Sequence, residues 1–478
     1  MENLMGEAMK KRFRVEKDSL GDVKVPADAL YGVQTQRAVH NFPVSGVREH
    51  PDFIKAYALI KKAAVEAAHS LKAMERWRAQ AIVKAASEII SGKHQKEFVL
   101  DVFQAGAGTS FNMNTNEVIA NRALELLKKS KGDYKTLSPN DHVNYGQSTN
   151  DSFPTAIRLG GLFQRKKLLP VLDNLAKAFE AKGREFQGVL KSGRTHLQDA
   201  VPITLGQEFR AYGAALRRAR RRLKDASDEL LELPIGGNAV GTGVNTPKGF
   251  REKVVRNLAR YTRLKLRPSD DPMEMIQSQQ PVAATSGALR DLALELSRIA
   301  SDLRLLSSGP TTGIDEIRLP PVQPGSSIMP GKVNPVMAEC LNMVAFQVIG
   351  YDTTIAYAVQ GGQLDLNVMM PIMAYDLMMA FEILINYLPV FQEKCIEGIK
   401  AQPDRCRGYL EKNPALATLL NPFIGYLQAG EIAKQSVREN RSVLDIVREK
   451  KILTEAQIKK VFSVKNLTGH LERDSKKR

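Results

Sequence analysis

Apolar residues recur along this chain at alternating steps of three and four. Leu289, Leu292, Leu296, Ile299, Leu303 and Leu306 form one series; Leu168, Leu172, Leu175, Phe179 and Phe186 form a second. Side chains so spaced share one narrow stripe of an α-helix, the seam of a coiled-coil-like bundle. The second helix is expected to begin close to Pro170, because proline is tolerated in a first turn. A third is expected around residues 209–233. Strand-like alternation with period two is scarce. The pattern therefore predicts a mostly α protein built on long bundle helices, pairing within one chain or between chains.

Four polar segments interrupt the helical pattern: GAGTSFNMNTNE (106–117), SPNDHVNYGQSTND (138–151), SGRTHLQDAVP (192–202) and the stretch from LPPVQPG into GSSIMPGKVNP (325–335). Each reads as a loop flanked by helix. Boundaries near residues 147 and 403 divide the chain into an N-terminal mostly helical domain (1–147), a central long-helix bundle (148–403) and a small C-terminal helical domain (404–478). No internal repeat stands out.

With 43% hydrophobic and 25% charged residues, the chain has the balance of a soluble globular protein and not of a disordered one. No apolar run approaches the roughly 18 residues that would span a bilayer. The first residues lack an apolar h-region and mix acidic with basic side chains, so neither a secretory signal nor a transit peptide is expected. Cys340, Cys395 and Cys406 are odd in number and lack CxxC spacing, which suits a reducing compartment without a disulfide frame or structural zinc.

The formal net charge of +17 admits nucleic acid, an anionic membrane surface or small anionic substrates as partners. Its densest run, RRARRR (217–222), lies inside a helical pattern and fans around the circumference. No aromatic interleaving accompanies it, so a solvated basic surface is the preferred reading over a nucleic-acid site. The terminal ERDSKKR reads as a frayed tail.

The chemistry concentrates in GSSIMPGKVNP. Gly325 and Gly331 permit backbone geometries in which successive N–H groups face one point, an anion-binding nest. Lys332 adds a full positive charge, Asn334 amide donors, and Ser326 and Ser327 hydroxyls. Residue types alone leave two readings: a carboxylate or phosphate site with a base beside it, or a Gly/Pro turn with a solvent-facing lysine. It is not a Walker loop, because valine follows the lysine.

The whole string resembles the shared motif of the aspartase/fumarase superfamily, lyases that eliminate ammonia, water or another amine across a Cα–Cβ bond. Further segments resemble it too: VPADALYGVQTQRAVHNFPVSG, NMNTNEVIANRA, GRTHLQDAVPITLGQEF, GGNAVGTGVNT and NPFIGY. GAGTS at 106–110, STND at 148–151, GQLDLNV at 362–368 and Pro422-Phe423 are similar to the aspartase branch, whereas class II fumarases usually differ there. His196 is usual in fumarases and kept in some aspartases; Met370 stands where many aspartases have glutamate.

The resemblance implies a three-domain, mostly α fold whose central helices form a tetramer core, with active sites shared by three subunits. It implies reversible deamination of L-aspartate to fumarate and ammonia through an aci-carboxylate, with fumarate hydration as the alternative. It assigns Ser326 as general base. Thr109, Ser148, Thr149 and Thr195 become the β-carboxylate cradle, Lys332 and Asn334 the α-carboxylate clamp, and Asn150 and His196 the ammonium pocket, with Glu339 orienting His196. No organic cofactor or obligatory metal is implied, and no HExxH or clustered His/Cys/Asp spacing argues for one. Some aspartases respond to Mg²⁺, and nothing in the residues decides that. The implied partner is a small dicarboxylate or amino acid in the cytoplasm, with neither nucleic acid nor membrane involved.

Plainer rivals stand beside these roles. Thr195 would cap a following helix, Ser148 or Asn150 the helix containing Ile157, and His196 would be structural. His142, near a stretch where fumarases have a second anion site, is left between that role and the surface. A catalytically retired relative, as in eye lenses, would carry damaged loops, and none is visible.

Overall fold

The computed structural model describes residues 12–468. The stretch through Lys11, His470 and the basic tail from Glu472 lie outside the described residues. Helices dominate, and the described strands form four two-stranded sheets, in line with the mostly α expectation.

The chain forms two compact units, each built from three chain segments. One takes the chain through Leu169, Arg221–Asp291 and Gln347–Ile385; the other takes Pro170–Arg220, Leu292–Phe346 and the chain from Asn386. The five longest described helices, Thr149–Glu185, Leu205–Ser227, Gln280–Leu306, Val336–Gln360 and Met370–Phe391, each contribute residues to both.

In the first unit the Pro51–Ser70 helix starts where His50 Nδ1 accepts from the Asp52 N–H, with proline in the first turn, and buries Ala56, Ala63, Ala64 and Ala67. Small side chains let the Arg76–Ile90 and Phe250–Thr262 helices approach it closely. Its core centres on Phe53, Tyr57, Phe111 and Phe153, with ring centroids 5.1 to 5.8 Å apart in tilted and edge-on arrangements favoured by the ring quadrupoles.

The second unit buries Leu292, Leu296, Ile299, Leu303 and Leu306, the residues the first seam predicts. Leu172, Leu175, Phe179 and Phe186 are buried as well, and Phe179 and Phe186 pack with Phe209 and Tyr212. A smaller cluster of Leu416, Leu420, Ile432, Val443, Ile446 and Ile458 holds the C-terminal helices together. The basic run makes ordinary ion pairs here, Arg217 with Glu180 and Arg220 with Asp173, as a solvated helix face would.

Several local expectations need correction. The helix expected to begin near Pro170 begins at Thr149 and runs through both Pro154 and Pro170, because its start signal lies at Ser148 and Asp151. The polar segment 106–117 is mostly helix: Thr109–Leu126 carries Asn112, Asn114, Asn116 and Glu117 fully buried, each bonded inside through at least one side-chain atom, while Asn114 Oδ1 and Asn116 Oδ1 have no partner among the described residues. The segment 192–202 lies in a β-hairpin, Leu190–Thr195 with Gln198–Thr204. Met370–Ile396 is long and apolar enough to cross a membrane by length and composition, contrary to the sequence reading. It carries Asp376 and Glu382, and half of its apolar window is buried within the protein, as in a core helix.

Candidate active site

Four expected substrate-binding residues stand at the starts of two helices in the first unit. Thr109 opens the Thr109–Leu126 helix behind Gly108, whose φ is +89°. A Cβ on Gly108 would meet the Phe153 ring at 2.0 Å, so glycine lets this turn close on the neighbouring helix. Thr149 and Asn150 begin that neighbour, Thr149–Glu185. Ser148 Oγ accepts from the Asn150 N–H at 3.2 Å, and Asp151 Oδ1 from the Ser148 N–H at 3.0 Å. Ser148 thus does cap its helix, while its own proton remains available, since a hydroxyl donates and accepts at once. Asn150 Nδ2 donates to the Ala239 carbonyl at 2.8 Å, which fixes the amide and leaves Oδ1 an acceptor without a partner among the described residues. Two helix N-termini side by side present unpaired N–H groups and partial positive charge, a setting suited to a carboxylate.

Behind them lies a buried polar network that motif reading missed. Asp151 is fully buried; its Oδ2 accepts from Gly236 N–H at 2.9 Å and Asn238 N–H at 2.8 Å, tying GGNAVG to the helix start. Burial pushes its pKa up to about 7 against those hydrogen bonds and the Lys61 charge. Lys61, also fully buried, donates to Asn112 Oδ1 at 2.6 Å and Asn144 Oδ1 at 2.9 Å, and burial pushes its pKa down to about 7. Asn112 Nδ2 donates to Thr149 Oγ1 at 3.0 Å. The one available signal was the density of asparagines in NMNTNE.

The remaining candidates belong to the second unit. Thr195 ends one hairpin strand, so it caps no helix. The two-residue turn is His196–Leu197, with φ of +55° and +60°. Tight hairpins require left-handed conformations at both positions, which glycine and asparagine fill most easily. Here they hold a histidine and a leucine at an exposed tip, at a cost on the order of 1 kcal/mol each. The hairpin base is anchored by Lys191 and Arg194 on the buried Glu316, at 2.8 and 2.9 Å.

The 325–335 segment is a closed loop. Gly325 N–H donates to Lys332 O at 2.8 Å, and Asn334 Nδ2 donates to Gly325 O at 2.6 Å. A Cβ on Gly325 would meet Lys332 O, so the neck requires glycine. Inside the loop, Ser326 Oγ accepts from the Ile328 N–H at 3.2 Å and the Met329 N–H at 3.0 Å. The donors are not those of the nest expected from Gly325 and Gly331: the Gly325 N–H closes the neck, and the Ile328 and Met329 N–H groups face the serine oxygen instead. Lys332 and Asn334 line a cavity of about 660 Å³ together with Arg304 and Arg318. Glu339 sits in the first turn of Val336–Gln360. Neither its carboxylate nor the His196 ring has a hydrogen-bond partner among the described residues.

His142 Nδ1 accepts from the Ser138 N–H at 2.8 Å, and burial and Arg78 hold its pKa below the usual range. It lines a cavity of about 610 Å³ with His69, Lys72, Arg78 and Asp141. His40, His50, His69 and His94 bond to Gln36, Glu382, Met74 O and Glu88, ordinary structural partners. Among the described residues no group of three or more His, Cys, Asp or Glu could hold a metal ion.

Comparison with known proteins gives a consistent picture. Residues 21–350 match a family model described as Lyase, and residues 416–469 match Fumarase C C-terminus. An aspartate ammonia-lyase of Pseudomonas aeruginosa is 49% identical over 457 residues, 95% of this chain and 96% of the relative. One from Bacillus subtilis is 46% identical over 458 residues, 96% of each. Among solved structures, a fumarate lyase:delta crystallin from Brucella melitensis bound to cobalt superposes with a TM-score of 0.92 at 46% identity, covering 94% of this chain and 98% of that one. A recombinant class II fumarase from Schistosoma mansoni gives 0.91 at 36% identity, covering 95% and 98%.

Proposed function

The chain belongs to the aspartase/fumarase superfamily of lyases, and on that footing we propose that it is an aspartate ammonia-lyase, converting L-aspartate reversibly to fumarate and ammonia. The observation that carries this reading is the near full-length identity to aspartate ammonia-lyases.

The difficult step is removal of a proton from Cβ, beside a carboxylate that is already negative. Ser326 serves as the base in its alkoxide form, which two inward N–H groups stabilise. The Cβ–H electron pair moves onto the β-carboxylate, giving an aci-carboxylate, while the proton passes to Ser326 Oγ. Thr109, Ser148, Thr149 and Thr195 donate to the growing charge, where preorganised donors matter most. Collapse of the intermediate forms the Cα–Cβ double bond and expels the amine with the C–N electron pair. Asn150 Oδ1 accepts from the substrate ammonium, and His196, oriented by Glu339, completes that pocket. Lys332 and the second N–H of the Asn334 amide hold the α-carboxylate.

In this reading the working enzyme is a cytoplasmic homotetramer in which three chains contribute to each site, so that Thr109 and Ser148–Asn150, the His196 turn and the Ser326 loop come from different copies. The reaction needs neither organic cofactor nor obligatory metal, because each step is a proton transfer or a C–N cleavage that side chains can serve. Sedimentation or light scattering reads the assembly. Incubation with L-aspartate, followed by fumarate absorbance, tests the activity; rapid malate turnover without ammonia release would move the assignment to fumarate hydratase.

A further inference from the structure

The Thr109–Leu126 helix buries an asparagine for which the reaction above has no task. Asn112 lies one turn after Thr109 and joins Lys61 to Thr149 within the first unit. Asn144 Nδ2 donates to the Gln147 carbonyl at 3.1 Å, which turns Asn144 Oδ1 inwards, so the Asn112 end facing it must be the NH₂ group and the atom facing Lys61 Nζ at 2.6 Å the carbonyl oxygen. That settles the orientation of the amide. Its NH₂ group then points to Thr149 Oγ1 at 3.0 Å and Asn144 Oδ1 at 3.3 Å. Asn144 Oδ1 also accepts from Lys61 and from Asn116 Nδ2 at 3.2 Å, closing the ring of contacts.

The consequence falls on one proton. With Thr149 Oγ1 accepting from Asn112, the hydroxyl hydrogen must turn elsewhere, and among the described residues nothing accepts it. We propose that Asn112, locked by Lys61, is a positioning residue that turns the Thr149 hydroxyl proton outwards, so that it donates to the substrate β-carboxylate as charge accumulates there. This rests on the reading of Thr149 as part of that cradle.

The price of the device is visible. No carboxylate hydrogen-bonds Lys61 among the described residues, and a buried ammonium held mainly by amide carbonyls is costly. A methionine of similar length would fill the space without that penalty. What it could not do is choose which end of Asn112 faces Thr149.

A double-mutant cycle on the assembled enzyme tests this. Asn112→Leu should lower kcat/KM for L-aspartate by roughly tenfold or more, approaching the loss of one oriented donor. In a Thr149→Val background, where no hydroxyl remains to orient, the same change should cost less than about threefold. Equal losses in both backgrounds would overturn the proposal and leave Asn112 a structural residue. If Asn112→Leu does not assemble, Asn112→Asp takes its place in the cycle: it keeps the bond to Lys61, but its carboxylate draws the Thr149 proton inwards. The cycle is run on whichever of aspartate or malate the wild type turns over, and on fumarate affinity by calorimetry if it turns over neither. Substrate preference therefore bears on the proposed function, and coupling between positions 112 and 149 on this inference alone.

Discussion

The Met329 amide nitrogen lies 3.0 Å from the Ser326 hydroxyl oxygen and donates to it. A serine hydroxyl is a weak base, and its conjugate alkoxide needs donors fixed before the proton moves. The Ile328 N–H supplies a second, so the oxygen occupies a small concavity of backbone dipoles on a half-buried residue.

Ser326→Ala removes the proposed base and leaves the loop neck, made by Gly325, Lys332 and Asn334, untouched. Turnover should fall by about 10²–10⁴, the usual share of a general base, with assembly and melting temperature preserved. A kcat within a few-fold of wild type would remove Ser326 from the role.

His196→Asn separates chemistry from backbone. Asparagine tolerates the left-handed conformation that φ of +55° requires, so the hairpin should persist. Loss of kcat with unchanged circular dichroism would attribute the effect to the imidazole. Full activity would make His196 only a turn residue.

Gly108→Ala sets a methyl group against the Phe153 ring, in a backbone conformation with φ of +89°. Overpacking and strain together should destabilise the chain by about 2 kcal/mol or more and displace Thr109. Denaturant midpoints report the first effect, and a raised KM the second. A neutral substitution would show that the two helix starts do not depend on glycine at this turn.

Glu88 sits between Arg122 and His94, and the Arg122 guanidinium above all holds its carboxyl down to about 2. Its folded pKa is depressed, so its stabilisation is complete above the unfolded value and is lost as pH falls from about 4.5 towards 2. Solvent screening at this partly exposed site holds the contribution to about 1 kcal/mol. The melting-temperature gap between wild type and Glu88→Gln should be widest near neutrality and shrink steadily below pH about 4.5; a gap independent of pH would contradict it.

The surplus of positive charge should concentrate anionic substrate near the protein. Raising ionic strength from about 0.01 to about 0.15 M shortens the screening length from about 30 to about 8 Å, so kcat/KM should fall several-fold while kcat holds. A salt-independent kcat/KM would show that the charge serves something else.

How much of this was legible beforehand depends on what each residue answers to. Leu292 to Leu306 repeat at helical spacing because one face is buried, and periodicity alone finds them. The hairpin around His196 escaped because its turn lacks the Asn-Gly signature; the backbone is held there by its own Lys191 and Arg194 on Glu316, which is over a hundred residues away in sequence. The Thr109 helix escaped because it buries asparagines, and a polar segment without an apolar stripe reads as loop. The 325–335 loop was legible from its glycines and prolines, and the roles proposed for Ser326, Lys332 and Asn334 come from the motif alone. Asn112 and Lys61 were not, since their significance lies in which atoms face each other. That information exists only in three dimensions.

The two bonds that shut the Gly325–Asn334 neck bear on how the segment can move. Latched at its root, the segment is held to one shape. Proton acceptor and ammonium group would then travel as one piece. In the proposed mechanism, a molecule that does not engage the loop would meet neither, and its carbon acid would stay intact.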